Sequence, residues 1–136
     1  MFNSLDHIAI VVQNIDEALG FYRDQLGLPV VVDEIMEDAG VRLTHLDFGN
    51  VHLQLVQPIR DDHPLQQHLN EKGEGLHHLC FHVDNVEDTL AKVPERDLIP
   101  MNKPPHSGPN GRQAAFLDPA STRGVTWEIT AARRDS

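Results

Sequence analysis

The sequence predicts an α+β fold built from two tandem βαβββ modules. Three observations carry this: an internal repeat, the same alternation of strand-like and helix-like segments in each copy, and turn residues at matching places. The repeat is visible when Leu5-Asp6-His7-Ile8-Ala9-Ile10-Val11-Val12 is set against Leu76-His77-His78-Leu79-Cys80-Phe81-His82-Val83. The same offset sets Asn14-Ile15 on Asn85-Val86, Ala18-Leu19 on Thr89-Leu90, and Tyr22 on Val93. A slightly larger offset sets Val51-His52-Leu53-Gln54-Leu55 on Val125-Thr126-Trp127-Glu128-Ile129, so the second copy has gained length in its loops. The Pro/Gly-rich segment from Lys103 to Arg112 is the expected place of that gain. The 136 residues read as a single domain, with module one at about 5–57, a linker helix at about 58–75 and module two at about 76–131.

Each module opens on the repeated strand. In the first, Asn14 is placed to cap a helix with Asp16 and Glu17 in its opening turn, apolar residues at 15, 18, 19, 22 and 26, and Gly27 as its stop. Strand-like stretches follow over Leu28–Asp33, Val41–Phe48 and Val51–Gln57, with a turn at Gly49-Asn50 before the last. Pro64 near its start and Gly73 near its end mark the linker helix as Pro64–Lys72. In the second module the Asp84-Asn85 cap starts a helix that runs to about Val93, where Pro94 ends it. Strands are expected over Leu98–Met101, Gln113–Leu117 and Val125–Thr130, the last after a turn at Thr122-Arg123-Gly124.

Composition removes several classes of function. No apolar run approaches the length of a membrane helix, and no signal-peptide pattern follows Met1, so a soluble, cytoplasmic protein is expected. A formal net charge of −10 disfavours binding to nucleic acid or to an anionic membrane. The single cysteine, Cys80, excludes an internal disulfide and a multi-cysteine zinc site. Nine histidines remain to be explained.

Strand side chains alternate between two faces, which sorts the polar residues. Ile8, Ile10 and Val12 form one set and His7, Ala9 and Val11 the other; Leu79, Phe81 and Val83 oppose His78, Cys80 and His82. In the closing strands Val51, Leu53 and Leu55 oppose His52 and Gln54, while Val125, Trp127 and Ile129 oppose Thr126 and Glu128. The fully apolar faces are expected under the helices. The other faces carry His7, Gln54, His78 and Glu128 at corresponding positions, as though curved mixed sheets enclosed a metal-binding cavity. Each alone is more often a hydrogen-bonded or solvent-facing residue, but their symmetric placement favours a joint role. Two imidazoles, an amide oxygen and one carboxylate suit a single divalent ion such as Co, Mn, Ni, Zn or Fe. With Glu128 its one anion, such a site keeps net positive charge for a developing enolate oxygen.

These residues resemble a known group. Leu5-Asp6-His7-Ile8-Ala9-Ile10, Phe21-Tyr22 with Leu26-Gly27, Gly75-Leu76-His77-His78-Leu79, and Phe116-Leu117-Asp118-Pro119 with Gly124-Val125-Thr126-Trp127-Glu128 resemble the vicinal oxygen chelate superfamily over about residues 5–131. That group includes glyoxalase I, extradiol dioxygenases, bleomycin- and fosfomycin-resistance proteins and methylmalonyl-CoA epimerase. Among these the sequence is most similar to the epimerases, through Gln57-Pro58, the segment Gly73 to His78, and an amide at Gln54. The resemblance implies a metal-dependent epimerase that inverts the carbon α to a CoA thioester through a metal-stabilised enolate. It implies His7, Gln54, His78 and Glu128 as metal ligands and Glu128 as a catalytic base, an acyl-CoA thioester as the small-molecule partner, and, by analogy, a homodimer. Alternatives are a glyoxalase I-like lactoylglutathione lyase and a non-catalytic ligand-binding or resistance protein of the same fold.

The pattern is broken twice. Leu43 follows Gly40-Val41-Arg42, where some bacterial epimerases carry a second glutamate, and Asp118-Pro119-Ala120-Ser121 stands where His-Pro-Lys-Asp is frequent. His45, Asp47 and His52 are the candidates to replace that glutamate. Cys80 is read as a buried thiol and His77 as structural, while His63, His68 and His106 are read as solvent-facing. The Gly108–Arg112 loop is read as a hairpin turn, with a lid carrying Arg112 to a phosphate or carboxylate as the alternative. Local cations for an acyl-CoA are Arg42, Lys103, Arg112 and Arg123.

Overall fold

The computed structural model describes residues 1–101 and 104–131. Its strands are β1 (Ser4–Val11), β2 (Val30–Met36), β3 (Val41–Asp47), β4 (His52–Pro58), β5 (Gly75–His82), β6 (His106–Ser107), β7 (Gln113–Phe116) and β8 (Trp127–Ala131). Its α-helices are α1 (Ile15–Leu19), α2 (Pro64–Lys72) and α3 (Val86–Lys92). The architecture is α+β. Contacts divide the chain into two compact units, one of His7–His77 and one of Met1–Asp6 with the residues from His78 onward.

In the His7–His77 unit the strand order is β2-β3-β4-β1. Strands β1 and β4 run parallel, with His7 opposite His52 and Ala9 opposite Gln54. Strands β3 and β4 run antiparallel, with His45 opposite Gln54. In the other unit the order is β5-β8-β7-β6. Strands β5 and β8 are parallel, setting Cys80 opposite Glu128, and β7 is antiparallel to β8, setting Phe116 opposite Glu128. Each unit thus pairs its first strand in parallel with its last, as expected of two copies of one βαβββ plan.

Local chemistry explains the helix starts. The Asn14 side chain accepts the Glu17 N–H at 2.9 Å, and Asn85 accepts the Asp88 N–H at 2.8 Å. The linker helix has the span expected of it. The first helix does not stay α-helical to Leu26: from Gly20 to Gln25 it widens into a π-helical turn, and Gly27, at φ +78°, takes the left-handed conformation that ends it.

The apolar faces lie where the alternation put them, except at the exposed Val125. Val12, Ile15, Leu19, Leu46, Leu53 and Leu55 form the core between α1 and its sheet, with Ile8 and Ile10 packed against it. Val83, Val86, Ala115, Ile129 and Ala131, with Phe81 and Leu90, form the equivalent core beneath α3. Full burial of side chains such as Leu55 and Ile129 contributes about 1.5–3 kcal/mol each. The opposite face of the first sheet is not uniformly polar: Ala9, Val41, Leu43 and Val56 cluster on it.

Three strand boundaries differ from expectation. Leu98–Met101 contributes only an isolated bridge, Pro100 to Leu117, and the strand that pairs with β7 is instead His106–Ser107. The pairing is confined to the two bonds that flank Pro100, Met101 N–H to Phe116 O at 2.9 Å and Asp118 N–H to Ile99 O at 2.7 Å. β2 starts at Val30, after Pro29, and extends to Met36. β8 starts at Trp127, since the turn before it reaches further: Gly124 N–H donates to Pro119 O and Val125 is exposed.

Candidate metal centre

Four polar side chains singled out by the strand alternation are all buried: His7 at 4%, Gln54 at 4%, His78 at 8% and Glu128 at 6% exposure. Such groups are not withdrawn from water without partners. The two units hold two of them each.

In the unit containing β5 and β8, His78 Nε2 lies 3.2 Å from Glu128 Oε1. The second carboxylate oxygen, Oε2, is 3.0 Å from His106 Nε2. Two donors held about 2.0–2.2 Å from one ion at tetrahedral or octahedral angles lie about 3–3.5 Å apart. The imidazole nitrogen and carboxylate oxygen therefore fit two adjacent ligands of a single divalent cation. His106 then holds the oxygen that faces away from His78. Phe116 orients both rings, standing edge-on to His78 at a centroid distance of 5.1 Å and stacked on His106 at 5.5 Å. Cys80 is fully buried beside this pair. Burial, and secondarily the charge of Glu128 and Asp6, push its thiol above the usual range, so without a cation beside it the thiol is neutral.

In the unit containing β1 and β4, Gln54 and His7 meet a third buried side chain, His45, at 3% exposure. Gln54 Nε2 is 2.9 Å from His45 Nε2. His45 Nδ1 is 3.0 Å from His52 Nδ1, with the two rings nearly perpendicular. The His7 ring lies 5.3 Å from that of His45.

Other histidines depart from expectation. His106 and His63 are not simply solvent-facing. His106 bonds Glu128, and His63 caps α2, its Nδ1 accepting the Leu65 N–H at 3.0 Å and its Nε2 2.9 Å from Ala39 O. His68 and His77 meet edge to face at 5.3 Å. The role of His45 was half legible, since it shares the parity of Leu43 on a strand next to Gln54. That of His106 was not, because a proline-rich loop has no periodicity to read. Two expected free cations are internally paired. Arg112 Nη2 is 2.7 Å from Asp6 Oδ1, and Arg42 bonds Asp33 at 2.9 Å and Asp16 at 3.0 Å. Lys103 lies outside the described residues.

Residues 6–116 match the family model of the glyoxalase/bleomycin resistance protein/dioxygenase superfamily. The chain belongs to this superfamily. Its α+β architecture matches the vicinal oxygen chelate fold, as a solved superfamily structure shows. That structure is a variant of Streptomyces coelicolor methylmalonyl-CoA epimerase in complex with 2-nitronate-propionyl-CoA, which is 28% identical with a TM-score of 0.89, covering 98% of this chain and 100% of that one. Among curated superfamily relatives, mouse mitochondrial methylmalonyl-CoA epimerase is 30% identical over 126 residues, or 92% of this chain and 71% of the relative. The Bacillus subtilis uncharacterized protein YqjC is 34% identical over 133 residues, or 98% of this chain and 95% of the relative. Among the described residues no helix is long and apolar enough to cross a membrane.

Proposed function

We propose that this superfamily member is a metal-dependent epimerase acting at the carbon α to a CoA thioester, with methylmalonyl-CoA the substrate to test first. In this reading one superfamily domain uses both modules, and His7, Gln54, His78 and Glu128 hold one divalent cation. The observation that carries it is Glu128: a buried carboxylate between two histidines, in a chain 30% identical to a methylmalonyl-CoA epimerase.

A bound divalent cation supplies positive charge to the carbonyl oxygens of the substrate and acidifies the α C–H. Glu128 is the base in this scheme. One of its oxygens lies beside His78 and the other accepts from His106, which holds the carboxylate plane fixed when the α-proton is taken. Inversion then requires a proton delivered to the opposite face of the carbon. Leu43 cannot deliver it, being buried among Ala9, Val41 and Val56, and both ring nitrogens of His45 are already engaged. Asp47 is occupied at the β3–β4 turn, where it accepts the Gly49 N–H at 2.8 Å. The opposing acid therefore differs from the glutamate found in some bacterial epimerases. Arg42 and Arg112 are taken up by Asp33, Asp16 and Asp6, so cation contacts to a CoA phosphate fall to other residues such as Arg123.

Incubation of the Mn²⁺- or Co²⁺-loaded protein with (2R)- or (2S)-methylmalonyl-CoA in D₂O tests the reading. One deuteron should enter at C2 as the other epimer appears. A metal-loaded protein that gives no C2 exchange, alongside turnover of the methylglyoxal–glutathione hemithioacetal, would replace the epimerase with a glyoxalase I-like lyase. A second copy of the chain is the expected assembly partner.

A further inference from the structure

Gln54 differs from the other three proposed ligands in one respect: its terminal amide has two ends, and only the carbonyl end can bind a cation. Rotation of the amide by half a turn would present an NH₂ group to the ion and abolish the ligand. Something must therefore hold the amide the right way round. Glu128, with two equivalent oxygens, has no such requirement, and an imidazole meets its own by turning its unprotonated nitrogen to the ion.

The surroundings of Gln54 answer this. Its Nε2 faces His45 Nε2 at 2.9 Å, in a buried position on the adjacent antiparallel strand, with His45 directly opposite Gln54 in register. An amide nitrogen can only donate, so the His45 Nε2 that receives it carries no proton. The proton of neutral His45 is then on Nδ1, which donates to His52 Nδ1 at 3.0 Å. His52 is in turn the register partner of His7 across β1 and β4. The chain of donors runs one way only: Gln54 to His45 to His52. Reversal would need His45 protonated on Nε2 and would turn the amide oxygen toward His45.

We infer that His45 is a positioning residue which, with His52 behind it, locks the Gln54 amide so that Oε1 is presented as a cation ligand. The inference rests on the reading of Gln54 as a ligand. His45 itself touches neither the ion nor the substrate in this scheme. Partners of this kind typically change metal affinity 10–100-fold.

Two measurements on the full chain test it. Long-range ¹H–¹⁵N correlation of the wild-type, metal-free protein should show His45 as the Nδ1–H tautomer, and an Nε2–H tautomer would overturn the inference with no variant needed. Calorimetric titration with Mn²⁺ or Co²⁺ should then find His45→Phe, which keeps a ring of similar size but has no acceptor, binding about 10–100-fold more weakly than wild type. His45→Gln, whose carbonyl oxygen reaches the place of the Nε2 acceptor, should recover most of that loss. Equal affinity in wild type and His45→Phe would overturn the role of His45 while leaving the ligand set standing. A wild-type protein that takes up neither ion would overturn the ligand set, and the inference with it.

Discussion

Glu128→Gln tests the candidate centre most directly. Glu128 is 6% exposed, with imidazole nitrogens at 3.2 and 3.0 Å from its two oxygens. The substitution keeps the volume and one oxygen but removes the only anionic ligand. In the metal-free protein the amide turns its NH₂ end toward one of these two imidazole nitrogens, so the metal-free variant should be about 1–3 kcal/mol less stable than wild type. The metal-loaded protein should behave differently. At a free Mn²⁺ concentration of about 100 times the dissociation constant, binding stabilises wild type by about 2.7 kcal/mol. For a chain of 136 residues, about 3–4 °C of melting temperature accompanies each kcal/mol, so the expected rise over a chelator-treated sample is about 10 °C. If loss of the carboxylate weakens binding about 100-fold, the same Mn²⁺ half-fills the site, and the stabilisation falls to about 0.4 kcal/mol, or about 1–2 °C. The assay is scanning calorimetry of both proteins with chelator and with Mn²⁺. A Glu128→Gln variant that keeps the full Mn²⁺-dependent rise would refute the assignment of Glu128 to the cation.

Two further outcomes follow from the electrostatics of the units. Hydrogen bonding to Arg42 holds the Asp33 carboxyl below its usual range, so its contribution to stability is present above the ordinary aspartate pKa and is lost as pH falls through the depressed one. Asp33 is 43% exposed and solvent screens the pair, so Asp33→Asn should cost under about 1 kcal/mol in urea denaturation at pH 7, with the difference from wild type vanishing in strong acid; a difference that persists at the lowest pH would contradict this. Cys80 is fully buried and its thiol is pushed upward, chiefly by burial, so a disulfide reagent at pH 8 should label it only after unfolding; rapid stoichiometric labelling of the native protein would show that the thiol is not enclosed.

The repeat, the α+β class and the two apolar faces were legible in the chain itself, because each depends on local periodicity. Caps at Asn14 and Asn85 and the span of the linker helix are set by neighbouring residues, and the structure has them as expected. The reduction of Leu98–Met101 to a single bridge was less legible, since it depends on how that segment meets Phe116–Asp118, which are distant in the chain. The chain also indicated that His7, Gln54, His78 and Glu128 share a strand parity, and all four prove buried. It could not show their hydrogen-bond partners. His106 reaches Glu128 from a segment without periodicity, and His45 meets Gln54 only through the register of two antiparallel strands.

The sequence by itself determined which face of each strand every polar residue occupies, because side-chain direction alternates with position. Only the tertiary structure decided which polar groups are satisfied by one another. Arg42 and Arg112, open to anions on paper, are consumed by Asp33, Asp16 and Asp6, while His45 and His106 are drawn into contact with Gln54 and Glu128. The physical reason is that pairing depends on strand register and loop path, which bring together residues distant in the chain, whereas alternation needs only the residue before and the residue after.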